Sequence, residues 1–140
     1  MSAEDLVSQI RRMPSPHVDM LGLQVQSATL EEVVATLTVD PAKHFHPWGA
    51  VHGGVYCSVT ETLATIGAAL SAIPEGRLAV GLENHTSFVR SVRGGELTAR
   101  GVALNRGRQM HLWEVRIVDE RERLVARGTV RLALIQPESS

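Results

Sequence analysis

Apolar positions along the chain set its elements. Leu6, Ile10 and Met13 fall on one side of a helix over about Ala3 to Met13, with Ser2 available as its cap and Pro14 and Pro16 closing it. From Leu23 to Val39 the period shortens to two: Val25, then Val33, Ala35, Leu37 and Val39, alternate with polar neighbours around a turn near Glu31 and Glu32, which predicts strands. A loop rich in histidine and aromatics, KHFHPWGAVHGG, follows Pro41. Gly54 to Ile73 is rich in Ala, Leu, Val and Thr and holds no proline until Pro74, so it predicts one helix about 30 Å long at about 1.5 Å per residue. Every later segment reads as strand: Leu78 to Val92, Leu97 to Asn105, Met110 to Asp119 and Val125 to Ile135. Gly94-Gly95, Asn105-Arg106-Gly107 and the charged stretch Asp119 to Arg123 are the joints.

Those four strands are expected to form a meander whose apolar face needs a cover, and only the Gly54 to Ile73 helix is long and apolar enough to supply it. The predicted architecture is therefore α+β, one long helix wrapped by a curved antiparallel sheet. The whole chain, 1–140, is expected to be a single domain, with residues 1–16 as an N-terminal helix and arm and 136–140 as a frayed tail.

Composition narrows the function classes. Hydrophobic content of 44% with 21% charged residues and a net charge of −1 describes an ordinary globular chain and gives no bulk attraction to nucleic acid. Lys43 is the only lysine among fourteen basic residues, a skew that genome composition explains better than ligand binding. The single cysteine, Cys57, excludes an internal disulfide and fits a reducing compartment. The start, MSAEDLVSQI, is acidic and has no basic-then-apolar run, and no segment reaches 18 consecutive apolar residues. No membrane partner is expected, and the expected location is the cytoplasm.

Chemistry concentrates in WGAVHGGVYCSVTETLAT, from Trp48 to Thr65. Glu61 is the one acid in a helix of apolar and small residues. A desolvated carboxylate gains basicity, which suits a general base or nucleophile; the bland reading is a solvent strip or an ion pair with an arginine of the sheet. Gly53 and Gly54 open the helix, where unpaired N–H groups and the helix dipole could hold a carbonyl oxygen, or where the glycines serve only the turn. Gly53 and Glu61 lie eight residues apart, about 12 Å along one helix, too far to act on one carbonyl. If both serve one reaction, the acid comes from a second copy, and the minimal active unit is a dimer. Thr65, one turn past Glu61, either steers the carboxylate or a water or bonds back to its own backbone. Tyr56, Trp48 and Phe45, three of the five large aromatic rings, line an acyl pocket or pack an interface. His44, His46 and His52 invite a metal, with Glu61 as a possible third ligand, but a twenty-residue helix follows and no partner His is well placed in the later strands, so no metal is expected. Arg90, Arg93, Arg106 and Arg108 sit at strand ends, where they would hold phosphates only if they converge.

The combination WGxVHGGxYC, ETLAT and AVGLENHTSFVRSV resembles the hot-dog acyl-CoA thioesterases over about Leu21 to Ile135. Within them it is most similar to the helix-Glu branch of the 4-hydroxybenzoyl-CoA thioesterases and the related phenylacetate- and menaquinone-pathway enzymes. The resemblance implies hydrolysis of an acyl-CoA, the acyl group aromatic or of short to medium length. It implies Glu61 as nucleophile or base and the Gly53 N–H of another subunit polarising the carbonyl. Thr65 would support Glu61, His52 would orient the glycine turn, and Arg90 would contact the CoA near its phosphates. It implies no cofactor beyond the CoA of the substrate, and a dimer that pairs into a tetramer. His46 stands where the branch has Gln or Asn on the thioester oxygen, and it can charge as well as donate. Arg108 and Gln109 replace hydroxyl residues after Gly107, and with Gly54, Trp48 and Tyr56 they complete the expected substrate contacts. Two alternatives are a hot-dog hydratase or dehydratase, which needs a His beside the acid, and a non-catalytic acyl-CoA binder.

Overall fold

A computed structural model describes residues 2–139. Helix α1 spans Ala3–Arg12 behind a capping box in which the Ser2 hydroxyl accepts from the Asp5 N–H and the Asp5 carboxylate accepts from the Ser2 N–H. The Ser2 hydroxyl, which also donates to the Asp5 carboxylate at 2.6 Å, and then the Ser2 N–H hold the Asp5 carboxyl below its ordinary value, against a smaller effect of burial. Leu6 and Val7 are buried, whereas Met13, expected on the inner face, is exposed as the C-cap. A short helix, α2 (Pro16–Leu21), begins with proline in its first turn and ends at Gly22 in the left-handed region, φ 77°. The expectation that Pro14 and Pro16 simply close the first segment missed it.

Strands β1 (Gln24–Ala28) and β2 (Glu32–Thr38) pair antiparallel around the expected turn, and Val33, Ala35, Leu37 and Val39 are buried as their alternation requires. A helical turn, α3 (Pro41–His44), interrupts the loop that follows. Helix α4 (Gly53–Ala72) is one residue displaced from its predicted start, and a 3-10 turn over Ile73–Glu75 ends it. By length and composition the Gly53–Glu75 run could cross a membrane, but more than half of it is buried inside the protein. Its cover is the sheet: Leu63 and Ala64 are fully buried with Trp113, Val115 and Leu132 in one core.

The remaining strands are β3 (Leu78–Phe88), β4 (Glu96–Arg106), β5 (Met110–Val118) and β6 (Leu124–Ile135). The sheet order is β1-β2-β4-β5-β6-β3, so the four strands are not a consecutive meander. β3 pairs with β6 and forms an edge, and the expected strand end at Val92 is cut back to Phe88 because the Val89 and Arg90 N–H groups both turn to the Val125 carbonyl. Residues 89–95 then return the chain across three strand spacings, about 14 Å, within the roughly 23 Å reach of seven extended residues. Alternation dictates which face a residue presents; it does not dictate which strand lies beside it. The architecture is α+β with one helix wrapped by a six-stranded antiparallel sheet, the expected hot-dog arrangement. The described tail, 136–139, has no regular structure, and Ser140 lies outside the described residues.

Candidate active site

The start of α4 is built by hydrogen bonds to the backbone. The His52 N–H donates to the His44 carbonyl at 2.7 Å, and the Val51 N–H to Val92 at 2.9 Å, which fixes the chain entering the helix. His52 is the N-cap: its Nδ1 accepts from the Gly54 N–H at 2.8 Å and its carbonyl from the Val55 N–H at 2.9 Å. Nδ1 is therefore unprotonated in this arrangement. Gly53, at the start of this turn, keeps an N–H with no acceptor among the described residues. A Cβ at Gly53 would overlap the ring of Phe88, which also packs on Tyr56 with centroids 5.8 Å apart. Tyr56 is 2% exposed, its hydroxyl has no partner among the described residues, and burial pushes its pKa up to about 12.

Glu61 is exposed in the single chain, not enclosed by the apolar residues that flank it. It makes no hydrogen bond or ion pair among the described residues; its carboxylate rests on Gly81, where β3 carries a bulge. The alternative of a pairing with a sheet arginine is thereby corrected. Glu61 opens on a groove of about 310 Å³ shared with His17, Cys57, Ser58, Thr62 and Asn84. Behind the groove a polar network ties α4 to β3. Asn84 Nδ2 donates to the Cys57 carbonyl at 2.9 Å, the Thr86 hydroxyl donates to Asn84 Oδ1 at 2.6 Å, and the hydroxyls of Thr60 and Thr86 meet at 2.9 Å. Thr65 is half-buried and is not among the groove residues; the mid-helix threonines that bond back are Thr60 to Cys57 and Thr62 to Ser58.

His46 is half-buried, its Nδ1 accepting from the Trp48 N–H at 3.1 Å, and its Nε2 has no hydrogen-bond partner among the described residues. Trp48 is 82% exposed and meets His46 edge-on. His44 is a structural pin: it is buried, with Nδ1 accepting from the Asp40 N–H and Nε2 bonded to the Leu21 carbonyl, both at 2.9 Å.

The four arginines separate into two groups. Arg90 is exposed on the 89–95 connection, and Arg93 reaches toward Gly49. Arg106 and Arg108 meet Arg77, Gln109 and His111 around a cavity of about 1180 Å³ at the far end of α4. Arg77 holds that wall by donating to the Arg108 carbonyl at 2.6 Å and pairing with Glu75. His111, 2% exposed, accepts from Trp113 Nε1–H at 3.2 Å; burial, then Arg106 and Arg77, push its pKa below 6.5. Sequence reasoning missed His17, Asn84, Arg77 and His111. Asn84 lies inside the quoted ENHTSF run, but nothing local marks the other three.

The thioesterase superfamily signature matches residues 49–126, which hold the glycine turn, all of α4 and the groove acid. The chain belongs to the thioesterase superfamily. This thioesterase is 42% identical over 119 residues to an esterase-named protein of Mycobacterium tuberculosis, covering 84% of each chain. The solved structure of that protein superposes with a TM-score of 0.84 at 39% identity, covering 89% of this chain and 100% of the other. The thioesterase is also 32% identical over 116 residues to the 1,4-dihydroxy-2-naphthoyl-CoA hydrolase of Listeria monocytogenes, covering 83% and 93%. A solved thioesterase of Haemophilus influenzae is 29% identical with a TM-score of 0.82, covering 97% and 92%. The thioesterase is a hydrolase acting on thioesters.

Proposed function

We propose that the protein hydrolyses an acyl-CoA to a carboxylic acid and free CoA, with Glu61 as base or nucleophile and the Gly53 N–H of a second copy polarising the thioester carbonyl. The observation that carries this reading is the presence of two unsatisfied groups on one rigid helix: the Gly53 N–H and the Glu61 carboxylate, each without an internal partner among the described residues, with Glu61 open on the groove. Eight residues of α4, about 12 Å, keep them from one carbonyl, so each needs the other from a neighbouring chain. The exposed edge strand β3, with Leu78, Leu82 and Phe88 uncovered, supports a homodimer as the minimal active unit and a tetramer beyond it.

His46 presents Nε2–H where a donor to the thioester oxygen is expected, His52 holds the glycine turn, and Thr65 supports the acid from one turn on. Gly54, Trp48 and Tyr56 border the acyl side. Arg77, Arg106, Arg108 and Gln109 offer donors for the phosphates of CoA, with Arg90 as a separate contact on the connection. Similarity to an aryl-CoA hydrolase favours an aromatic acyl group. The reaction needs no cofactor in this reading, and the cytoplasm, where acyl-CoA is made, suits it.

Release of free thiol from benzoyl-, 4-hydroxybenzoyl-, phenylacetyl- and hexanoyl-CoA tests the assignment beside Glu61→Gln. The wild type is expected to turn over at least one of them and the variant to lose at least about 100-fold, the low end of what a positioned proton acceptor supplies. Equal activity of the two proteins overturns the role of Glu61, and no thiol release from any of the four overturns the substrate class.

A further inference from the structure

Of the residues lining the groove around Glu61, His17 is the one imidazole. It comes from α2, outside the 49–126 span that the superfamily signature matches. Its Nε2 lies 2.9 Å from the Ser58 hydroxyl. Ser58 precedes Glu61 by three residues on α4, which makes the two side chains neighbours on one helix face. The sequence shows no histidine within a turn of the acid; the fold brings one in from forty-four residues upstream.

Packing does not require this contact. α2 is already held by Leu21, whose side chain is buried in the core and whose carbonyl meets His44 Nε2. His17 itself is exposed on the groove rim. An imidazole and a hydroxyl are thus held in hydrogen-bond contact beside a carboxylate, in a place where they add little to the core.

We propose that His17 and Ser58 form a proton relay between Glu61 and the departing sulfur. This rests on the reading of Glu61 as the acid of the site. As water adds to the thioester carbonyl, the carboxylate takes a proton from it and the C–O bond forms. Once the Glu61 side chain turns from Gly81 to the neighbouring Ser58, the Ser58 hydroxyl passes its hydrogen to His17 Nε2 and takes one from Glu61, which restores the carboxylate and leaves an imidazolium. When the adduct collapses, the C–S bond breaks with its electron pair on sulfur. The relay runs back, Nε2–H to Ser58 and the Ser58 hydrogen to sulfur, and the products are the acid and the thiol with His17 neutral again.

His17→Gln tests this, because the amide can keep a hydrogen bond to Ser58 but cannot carry a proton. Its kcat is compared with wild type on an acyl-CoA and on the 4-nitrothiophenyl ester of the same acid, whose thiolate leaves without protonation. The expected loss is about 100-fold on the acyl-CoA and less than about threefold on the aryl ester, with Ser58→Ala showing the same contrast. Equal losses on both esters, or no loss on either, overturn the relay. Glu61→Gln is expected to lose both; if it keeps both, the reading of Glu61 fails, and that outcome is distinct from a failure at His17. Should His17→Gln not fold, as judged by its melting curve, the ratio for Ser58→Ala decides.

Discussion

Glu61 meets the sheet at a residue with no side chain. A Cβ at Gly81 would sit 3.3 Å from the Glu61 carboxyl carbon, so the bare backbone of β3 sets where the acid can rest. Glu61, His52 and Gly53 were legible in the sequence because they share one helix and its cap, where spacing along the chain is spacing in space. His17 and Arg77 were not, since each reaches its cluster only through tertiary packing. Arg90 and Arg93 were in the same position: the sequence left open whether they meet Arg106 and Arg108, and the return of the chain across the sheet carries them to another region. His111 supplies a prediction at this scale. The folded imidazole is held neutral below 6.5, whereas an unfolded chain binds a proton there, so stability is full above pH 6.5 and falls as the pH drops through the lowered folded value. Melting temperatures from pH 7.5 to 4.5 are expected to fall more steeply for the wild type than for His111→Gln, whose amide oxygen can still accept from Trp113. Parallel curves would remove His111 as the source.

At the scale of elements, α4 is the member whose fit decides the rest. Gly67 lies fully under the indole of Trp113, and a Cβ there would overlap the ring. Gly67→Ala gains helix propensity of about 1 kcal/mol but overpacks a core that cannot yield on the sheet side, a cost of about 1–3 kcal/mol. Denaturant midpoints are expected to place the variant at or below wild type; a more stable variant would show that Trp113 moves freely. Most elements could be read from period alone, and α4 was predicted to within one residue at its start because an unbroken run free of proline leaves one solution. α2 escaped because six residues carry too little periodicity, although Pro16 at its start and Gly22 at its end were the signals to use. The place of β3 escaped for a different reason: its alternation is weak because an edge strand exposes most of its residues, and pairing with β6 lies about fifty residues away in sequence.

Across the whole molecule, the sheet ends in β1 on one side and β3 on the other, and β3 carries the longer uncovered apolar edge. Two copies meeting there would bring the groove of one toward the glycine turn of the other, and sedimentation is expected to show no stable monomer at assay concentration. The rigid eight-residue separation of Gly53 and Glu61 has a further consequence for mixtures. A chain with Glu61→Gln and a chain with Gly53→Pro, given room by Phe88→Ala, are each expected to be inactive alone. Unfolded together and refolded, half of random dimers pair one of each, and in those one site unites two intact groups while the other unites two damaged ones. About a quarter of wild-type activity should return from two dead proteins. Such mutual rescue is the behaviour of a shared site, and a mixture that stays inactive would mean that every chain works alone.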